Sequence, residues 1–165
     1  MMKLVKIAAT LATLAAPAVA QDHEGLGDAA AGEDGFRRCQ SCHVVQDDEG
    51  NTLAGRNGRV GPNLYGVVGR TAGTVEGFRY SSSMQAAGEA GLVWSADTLV
   101  PYLQDPTAFL REYLDDSGAR GKMSFRVRSE EDAQDLAAFL ATFSEETAEG
   151  GDAADDDTGD EAAAD

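Results

Sequence analysis

One five-residue segment, Cys39-Gln40-Ser41-Cys42-His43, limits what this chain can fold into more than any other feature of the sequence. Two thiols three positions apart, followed at once by an imidazole, have the spacing of a covalent c-type haem attachment site. The cysteines add to the two vinyl groups of one porphyrin edge, and the histidine then lies beneath the iron as its proximal ligand. Because the chain contains only these two cysteines, neither has a different protein thiol to pair with. We therefore expect a fold built around a cofactor.

Two other interpretations of the segment remain open from the residues alone. A CxxC pair also occurs in redox-active dithiol enzymes and as half of a zinc site. Zinc requires two further Cys or His ligands, and the one other histidine is His23, close to the N-terminus. A thioredoxin-like enzyme places the pair after a buried strand in a βαβ pattern, whereas the residues before Cys39 are rich in Ala and Gly. The spacing favours haem attachment over both alternatives.

The first twenty residues predict export from the cytoplasm. Lys3 and Lys6 give a positive start, an apolar stretch covers 7–16, and Ala18-Val19-Ala20 is a small-residue cleavage site. The apolar stretch is shorter than the ~20 residues that a membrane span requires, although an uncleaved N-terminal anchor remains an alternative. We predict a signal peptide at 1–20 and a soluble protein in an oxidising compartment such as the periplasm.

Composition divides the remainder into one domain and an acidic tail. Residues 144–165 hold ten of the 29 acidic residues and no basic, aromatic, Leu or Val residue. This segment has nothing apolar to bury and is expected to be disordered. Residues 21–143 are expected to form one domain of ordinary size. The formal net charge of −16 argues against nucleic acid as a partner, because phosphate binding requires a basic surface.

The first and last helices of the domain are predicted to cross. Asp28 is the expected N-cap of the first helix, which runs towards the CxxCH segment, and Ser129 is the expected N-cap of the last. Gly32 and Phe36 lie four residues apart and therefore share one face of the first helix. Phe139 belongs to the apolar stripe of the last helix. We expect the two aromatic rings to pack beside the glycine.

Helices separated by long loops are predicted between these two, with almost no strand signal. Asp105 is the expected N-cap of a helix whose first residue is a proline. A shorter helix is expected after Ser95, kinked or shortened by Pro101, and one more short helical turn is expected over 81–87. Residues 44–79 are rich in glycine and are predicted to form an irregular loop, which is acceptable if the loop wraps a cofactor.

An ordered series of residues then relates the chain to a known family. The series begins with Gly32 and Phe36 before the CxxCH segment and continues with Gly61-Pro62-Asn63-Leu64-Tyr65-Gly66, Gly69-Arg70, Tyr80, Trp94, Tyr102, Lys122-Met123-Ser124-Phe125, Leu136 and Phe139. Over about residues 28–143 the chain resembles the class I cytochromes c, especially bacterial members with enlarged loops. The resemblance implies an all-α cytochrome c fold of about five helices around one haem c, attached through Cys39 and Cys42.

The resemblance also implies the iron ligands. His43 would be the proximal ligand and Met123 the distal one, its thioether completing six-coordinate iron and raising the reduction potential. Met84 is a competing methionine, expected to pack in the lower haem pocket, and His23 is a remote alternative ligand.

The resemblance implies roles for five further pocket residues. The Pro62 carbonyl would accept the Nδ1–H of the proximal histidine and fix its ring. Arg70, Tyr80 and Trp94 resemble the hydrogen-bonding partners of a buried haem propionate, which is costly to bury without donors. Tyr102 would lie on the distal side, near the methionine sulfur. Ordinary core packing is the alternative for each aromatic residue.

The function implied by the resemblance is one-electron transfer, with no substrate transformed. A periplasmic carrier of this kind is expected to be a monomer that accepts electrons from a quinol-oxidising cytochrome bc-type complex. Its acceptor would be a terminal oxidase, a photosynthetic reaction centre or a periplasmic reductase. The rivals are a haem peroxidase or small-ligand sensor, a dithiol oxidoreductase, and an electron-entry subunit of a larger complex.

Basic residues are clustered on an otherwise acidic chain. Lys122 is the single lysine outside the predicted signal peptide. A local positive surface on an acidic body can steer a charged partner, and we expect the first of two clusters to contact the electron-transfer partners. The clusters are Arg120, Lys122, Arg126 and Arg128, and, separately, Arg56 and Arg59.

Overall fold

The computed structural model describes residues 27–144. The signal peptide expected at 1–20 lies outside these residues, and so does the expected acidic tail except for Ser144. The described chain contains five helices, as expected, and one two-stranded sheet. In chain order the elements are α1 (Ala29–Phe36), β1 (Val44–Gln46), β2 (Thr52–Gly55), α2 (Ser82–Glu89), α3 (Ala96–Gln104), α4 (Pro106–Tyr113) and α5 (Glu130–Ala141).

Helix starts follow the predicted capping residues. The Asp28 carboxylate accepts hydrogen bonds from the first turn of α1, and Asp105 and Ser129 cap α4 and α5 in the same way. These bonds satisfy backbone N–H groups that a helix start otherwise leaves without partners. Ser81 likewise caps α2, which extends to Glu89 and is thus longer than the turn expected over 81–87.

Pro101 lies inside α3 without ending it. The helix runs for nine residues, Ala96–Gln104, and continues for three residues beyond the proline. Ser95 and Thr98 form a capping box at its start, in which the Ser95 N–H donates to Thr98 Oγ1 at 2.8 Å. Leu99 and Leu103, on either side of the proline, are both buried. Burial of this apolar face offsets the hydrogen bond that the proline cannot donate.

The prediction of an irregular loop over the whole of 44–79 is also wrong, because β1 and β2 form an antiparallel hairpin there. The turn between them is built by polar side chains. Asp47 Oδ1 accepts the Asn51 N–H at 2.7 Å, and Gly50 has a φ of 87°, which glycine adopts without strain. This Asp-to-Asn turn is a hairpin signal, but the strands it joins are too short to show a clear alternation.

The crossing of α1 and α5 forms one side of the core. The Phe36 and Phe139 rings pack with centroids 5.4 Å apart, as predicted. Gly32 is buried at the crossing, and a Cβ there would overlap the Asp135 carbonyl oxygen. Close approach of the two helices therefore requires a residue without a side chain at this position. Other fully buried residues include Val45, Leu92, Leu110, Val127 and Leu136.

The end of α5 is joined to the turn that follows the Gly61-to-Gly66 segment. The Gly66 N–H donates to the Phe143 carbonyl at 3.0 Å, and the Val68 N–H donates to Ser144 Oγ at 3.1 Å. These bonds hold the C-terminal end of the described chain against the body. Between residues 27 and 144, none of the helices has the length and apolarity needed to cross a bilayer.

Candidate functional site

All nine candidate site residues line one cavity of about 270 Å³ between the helices and the loops. Most of its wall is apolar and is shared with the core, including Phe36, Leu99 and Leu136. The nine residues are Cys39, Cys42, His43, Pro62, Arg70, Tyr80, Trp94, Tyr102 and Met123. Residues separated by more than eighty positions in the sequence are thus brought together around one space.

The two cysteines lie directly after α1. The Cys39 N–H donates to the Phe36 carbonyl at 2.8 Å, and the N–H groups of Cys42 and His43 both donate to the Cys39 carbonyl. These bonds continue the helix as tight turns, so both thiols and the imidazole reach the same cavity. Both thiols are free and half-buried. Burial raises the pKa of the Cys39 thiol, although Arg38 offsets part of this rise.

The His43 ring is held by the loop that begins at Gly61. Its Nδ1 lies 2.9 Å from the Pro62 carbonyl oxygen, so Nδ1 is the protonated nitrogen and Nε2 keeps its lone pair. Burial lowers the pKa of His43, and the bond to Pro62 offsets part of that effect. A side chain at Gly61 would overlap the imidazole. The ring is therefore neutral, oriented and able to bind a metal through Nε2.

Two methionines line the cavity. Met84 lies in α2 and is 6% exposed, whereas Met123 lies on the loop between α4 and α5 and is partly buried. The residue before Met123 anchors that loop, because Lys122 Nζ donates to the carbonyl oxygen of Arg79. The loop that carries Met123 is thus joined to the segment that carries Tyr80.

Polar side chains occupy the same cavity. Arg70 donates to the carbonyl oxygens of Tyr65 at 2.8 Å and Asn63 at 3.0 Å, which leaves further N–H donors of its guanidinium for another acceptor. Burial lowers the pKa of Arg70 and raises that of Tyr80, and each of the two offsets part of the shift in the other. A buried guanidinium beside a phenol can stabilise a bound carboxylate.

Trp94 and Tyr102 pack against each other with ring centroids 4.8 Å apart. Burial, together with nearby Tyr80, raises the pKa of Tyr102 to about 12, so its hydroxyl stays protonated at neutral pH. Among residues 27–144, neither this hydroxyl nor the Trp94 Nε1–H has a hydrogen-bond partner. Neither atom is fully buried without a partner, so both donors reach the open space of the cavity, where a bound group can accept from them.

The donor set and the wall fit a haem. The apolar lining suits a porphyrin, two free thiols lie at one edge, and an imidazole nitrogen and a thioether sulfur suit iron. No group of three or more His, Cys, Asp or Glu side chains within 27–144 is arranged to hold a metal ion. Within that range the cysteines therefore have no partners for a zinc site, and His23 lies outside it.

Comparison with known proteins identifies relatives along most of the chain. No family model matches it. Cytochrome c2 of Rhodovulum adriaticum is 63% identical over 117 residues, which cover 71% of this chain and 93% of that protein. Cytochrome c2 of Cereibacter sphaeroides is 51% identical over 138 residues, covering 82% and 92%. The chain belongs to the class I bacterial cytochromes c. The X-ray structure of cytochrome c2 from Rhodobacter sphaeroides matches with a TM-score of 0.70 and 51% identity, covering 72% of this chain and 97% of that one.

Membership of the class I cytochromes c confirms the all-α fold, the cofactor and the class of activity. Proteins of this family carry one covalently bound c-type haem, and Cys39 and Cys42 stand in its CxxCH motif. They transfer electrons and are not enzymes. The chain is therefore a haem c electron carrier, and the dithiol, zinc and peroxidase alternatives are wrong.

Two exposed apolar residues at this cytochrome's cavity were given no site role from the sequence, although Phe125 belongs to the series that relates the chain to its family. Val60 is 75% exposed and Phe125 is 41% exposed, and both line the cavity. Large apolar side chains at this exposure lie where the cavity meets the surface. A possible signal was available, since each is next to a basic residue, Arg59 or Arg126, inside a loop.

Proposed function

We propose that this cytochrome is a soluble periplasmic one-electron carrier whose haem iron is bound by His43 and Met123. One observation carries the proposal: a single cavity is lined by two free thiols, a neutral imidazole oriented through Nδ1, and a thioether. The haem supplies an iron that changes oxidation state by one electron. If His43 and Met123 both bind the iron, no coordination site would remain for a substrate.

The protein's part is to bind, orient and exclude water. Pro62 fixes the plane of the imidazole and strengthens it as a donor. Cys39 and Cys42 would hold the porphyrin edge through thioether bonds. The buried apolar wall keeps solvent from the redox centre, which limits the reorganisation that accompanies a change of charge.

The polar residues of the cavity are proposed to bind a haem propionate. Arg70 supplies positive charge and free N–H donors, and Tyr80 and Trp94 supply neutral donors. Charge-assisted bonds of this kind compensate a carboxylate for lost hydration. Tyr102 is proposed to lie beside the methionine ligand, where its protonated hydroxyl tunes the sulfur.

Visible and near-infrared spectroscopy of the purified ferric protein tests the ligation. We expect low-spin iron, a charge-transfer band from methionine sulfur to iron, and no carbon monoxide binding in the ferrous state. Met123→Leu should abolish the band, allow carbon monoxide to bind and lower the midpoint potential. Met84→Leu, a matched change in the same cavity, should preserve the band. A band lost in Met84→Leu and kept in Met123→Leu would reverse the assignment.

The partners are proposed from the charge on the loop that carries Met123. Lys122, Arg126 and Arg128 are exposed on the loop that carries Met123, close in sequence to exposed Phe125. Basic side chains around an apolar rim suit weak, fast docking to an acidic surface. We propose a cytochrome bc-type complex as electron donor and a terminal oxidase, reaction centre or periplasmic reductase as acceptor.

Stopped-flow reduction by a purified bc-type complex tests this surface. Arg128→Gln should slow reduction several-fold at low ionic strength and flatten the dependence of the rate on salt. Arg37→Gln removes the same charge from the end of α1, where Arg37 pairs with Asp34, and should change the rate less than twofold. Equal effects of the two substitutions would show that only net charge matters.

Location and assembly state are part of the same proposal. Mass spectrometry of the exported protein should give a chain that begins at Gln21 and carries one haem. Sedimentation should give a monomer. A mature chain that retains residues 1–20 would instead support the anchored alternative.

A further inference from the structure

A second cavity, of about 320 Å³, lies between two loops on the side of the His43 segment. We call it the arginine cleft. One loop contributes residues 56–59 and the other residues 75–78, and Gln46 and Asn63 complete the polar part of the wall. Nothing in the electron-transfer function described above uses this cleft.

The charge of the arginine cleft is positive. Arg56 and Arg59 are both exposed, and neither forms a salt bridge with any described residue. Glu76 is the one acidic side chain among the residues that line the cleft. Two guanidinium groups against one carboxylate leave a net positive charge in a protein that is strongly acidic as a whole.

The side-chain amides of Gln46 and Asn63 in the wall are already engaged. Asn63 Oδ1 accepts from the backbone of Gln46 and Tyr65, and Asn63 Nδ2 donates to the Gln46 carbonyl. The Gln46 amide donates to Gly50. The two guanidinium groups and the Asn57 amide are thus the side-chain donors of the cleft without a partner among the described residues, and the fork geometry of the guanidinium groups suits carboxylate and phosphate oxygens.

The arginine cleft shares a wall with the haem cavity. Gly61, Pro62 and Phe78 line both. A Cβ at Gly58 would lie 2.8 Å from the carbonyl carbon of Cys42 and 2.8 Å from the His43 nitrogen, so the arginine loop rests directly on the backbone of the proximal segment. Charge placed in the cleft therefore lies close to the proximal ligand.

We propose that the arginine cleft binds an oxyanion, phosphate or carboxylate, and binds it more tightly when the haem iron is oxidised. Oxidation adds one positive charge across the shared wall, and a nearby anion is attracted to it. By linkage, a ligand that prefers the oxidised state lowers the midpoint potential. The preference for the oxidised state rests on the proposed carrier function, whereas anion binding itself does not.

The size of the coupling follows from the affinity ratio. For a one-electron couple, a tenfold ratio between the two oxidation states corresponds to 59 mV. A twofold preference for the oxidised protein would lower the midpoint potential by about 18 mV at saturating phosphate. We take a twofold preference as the smallest effect that supports the redox part of the proposal.

Two sources of oxyanion are available to the cleft. One is free phosphate, and the other is the carboxylates of residues 145–165, which belong to the same chain and carry ten acidic groups. A segment of 21 residues reaches at most ~70 Å when extended, so no part of a small domain is out of its range. A tethered carboxylate would act at an effective concentration in the millimolar range.

Nuclear magnetic resonance titration of the ferrous holoprotein with inorganic phosphate at constant ionic strength tests the site. We expect saturable shifts confined to the backbone amides of 56–59 and 76–78. Arg56→Gln/Arg59→Gln should weaken binding at least tenfold, and Glu76→Gln should tighten it at least twofold. Arg37→Gln/Arg128→Gln, which removes two arginines elsewhere, should change the affinity less than twofold.

Two outcomes would overturn the proposal: shifts that spread over many arginines, or an equal loss of phosphate affinity in the two double variants. Either outcome indicates diffuse electrostatic attraction rather than a site. A redox titration with and without phosphate is the second readout. A midpoint potential that falls in the wild type but not in Arg56→Gln/Arg59→Gln supports the coupling. Confined binding with an unchanged potential overturns the redox part alone and leaves the carrier function standing.

A chain ended after Ser144 distinguishes the two sources. If the tail occupies the cleft, removing it should tighten phosphate binding at least twofold and shift the amides of 56–59 before phosphate is added. If free anions are the ligand, the affinity should match that of the full chain. If neither chain binds phosphate saturably, the arginine cleft is not an oxyanion site.

Discussion

Substituting Gly32 by alanine is the sharpest test of how the fold is held together. Gly32 is buried where α1 crosses α5, and a Cβ there would overlap the Asp135 carbonyl oxygen and lie 2.8 Å from the Cβ of Phe139. The obstructing atoms belong to a helix backbone and to the first carbon of a side chain. Neither can rotate away, so α5 itself must shift.

The expected magnitude combines two opposing terms. Alanine favours a helix interior over glycine by about 1 kcal/mol. Overpacking a close contact typically costs about 1–3 kcal/mol, and here the cost should be at the upper end because backbone must move. We expect Gly32→Ala to lower the free energy of unfolding by about 1–2 kcal/mol.

Gly35→Ala is the matched control, since it makes the same change three residues along the same helix. The nearest atoms to a Cβ at Gly35 belong to the Leu136 side chain, 3.6 Å away, which is ordinary van der Waals contact. Only the higher helix propensity of alanine then acts, and its effect is smaller near the end of a helix. Gly35→Ala should therefore stabilise the protein by about 0.5 kcal/mol.

Guanidinium denaturation of the holoprotein, followed by far-ultraviolet circular dichroism, measures both variants. The midpoint should fall for Gly32→Ala and rise slightly for Gly35→Ala, with slopes like that of the wild type. If Gly32→Ala is as stable as Gly35→Ala, the reasoning is refuted. That result would mean that α1 and α5 can move apart without loss of stability.

Two further predictions concern single polar groups. Ser144→Ala removes the acceptor of the Val68 N–H. It should lower the free energy of unfolding, measured with denaturant, by about 0.5–1.5 kcal/mol and leave the visible spectrum unchanged. A large spectral change would show that this contact shapes the haem site. Burial raises the folded-state pKa of Tyr102 to about 12, while the pKa of an unfolded tyrosine is about 10. Between pH 10 and 12 the unfolded chain therefore loses a proton that the folded protein keeps. The free energy of unfolding should fall over this range by up to ~1.4 kcal/mol per pH unit. That slope should be smaller in Tyr102→Phe, and an identical slope would assign it to other groups.

Local rules predicted the helix starts well. Asp28, Asp105 and Ser129 cap helices where expected, because a capping side chain acts within three residues and its chemistry is visible in the sequence. The effect of Pro101 is harder to predict from the sequence for the opposite reason. Its effect depends on how much apolar surface the rest of α3 buries, and that burial is decided by distant elements.

The residues of the site also fall into those that the sequence predicted and those that it could not predict. The CxxCH segment and the loop residues Pro62 and Met123 could be chosen from motifs, and the structure places them around one cavity. The contact of Gly58 with the proximal segment could not be predicted, because it arises from how two irregular loops pack. The hairpin of β1 and β2 was missed since three- and four-residue strands carry almost no periodic signal.

The cavity also predicts that the polypeptide alone will not fold. Phe36, Leu99 and Leu136 line it and belong to the core at the same time, so without haem the core contains a space of about 270 Å³. At about 24 cal/mol per Å³ of cavity, the cost is at most about 6.5 kcal/mol, which is comparable with the whole stability of many domains, about 5–15 kcal/mol.

A Cys39→Ala/Cys42→Ala chain, which cannot attach haem covalently, should therefore show little helical circular dichroism and no cooperative thermal transition after haem is removed. Adding haem to it should restore part of the helix signal, because the pocket and His43 remain. A haem-free chain that unfolds cooperatively would contradict this, since the α1–α5 crossing and the capped helices would then suffice without a cofactor in the core.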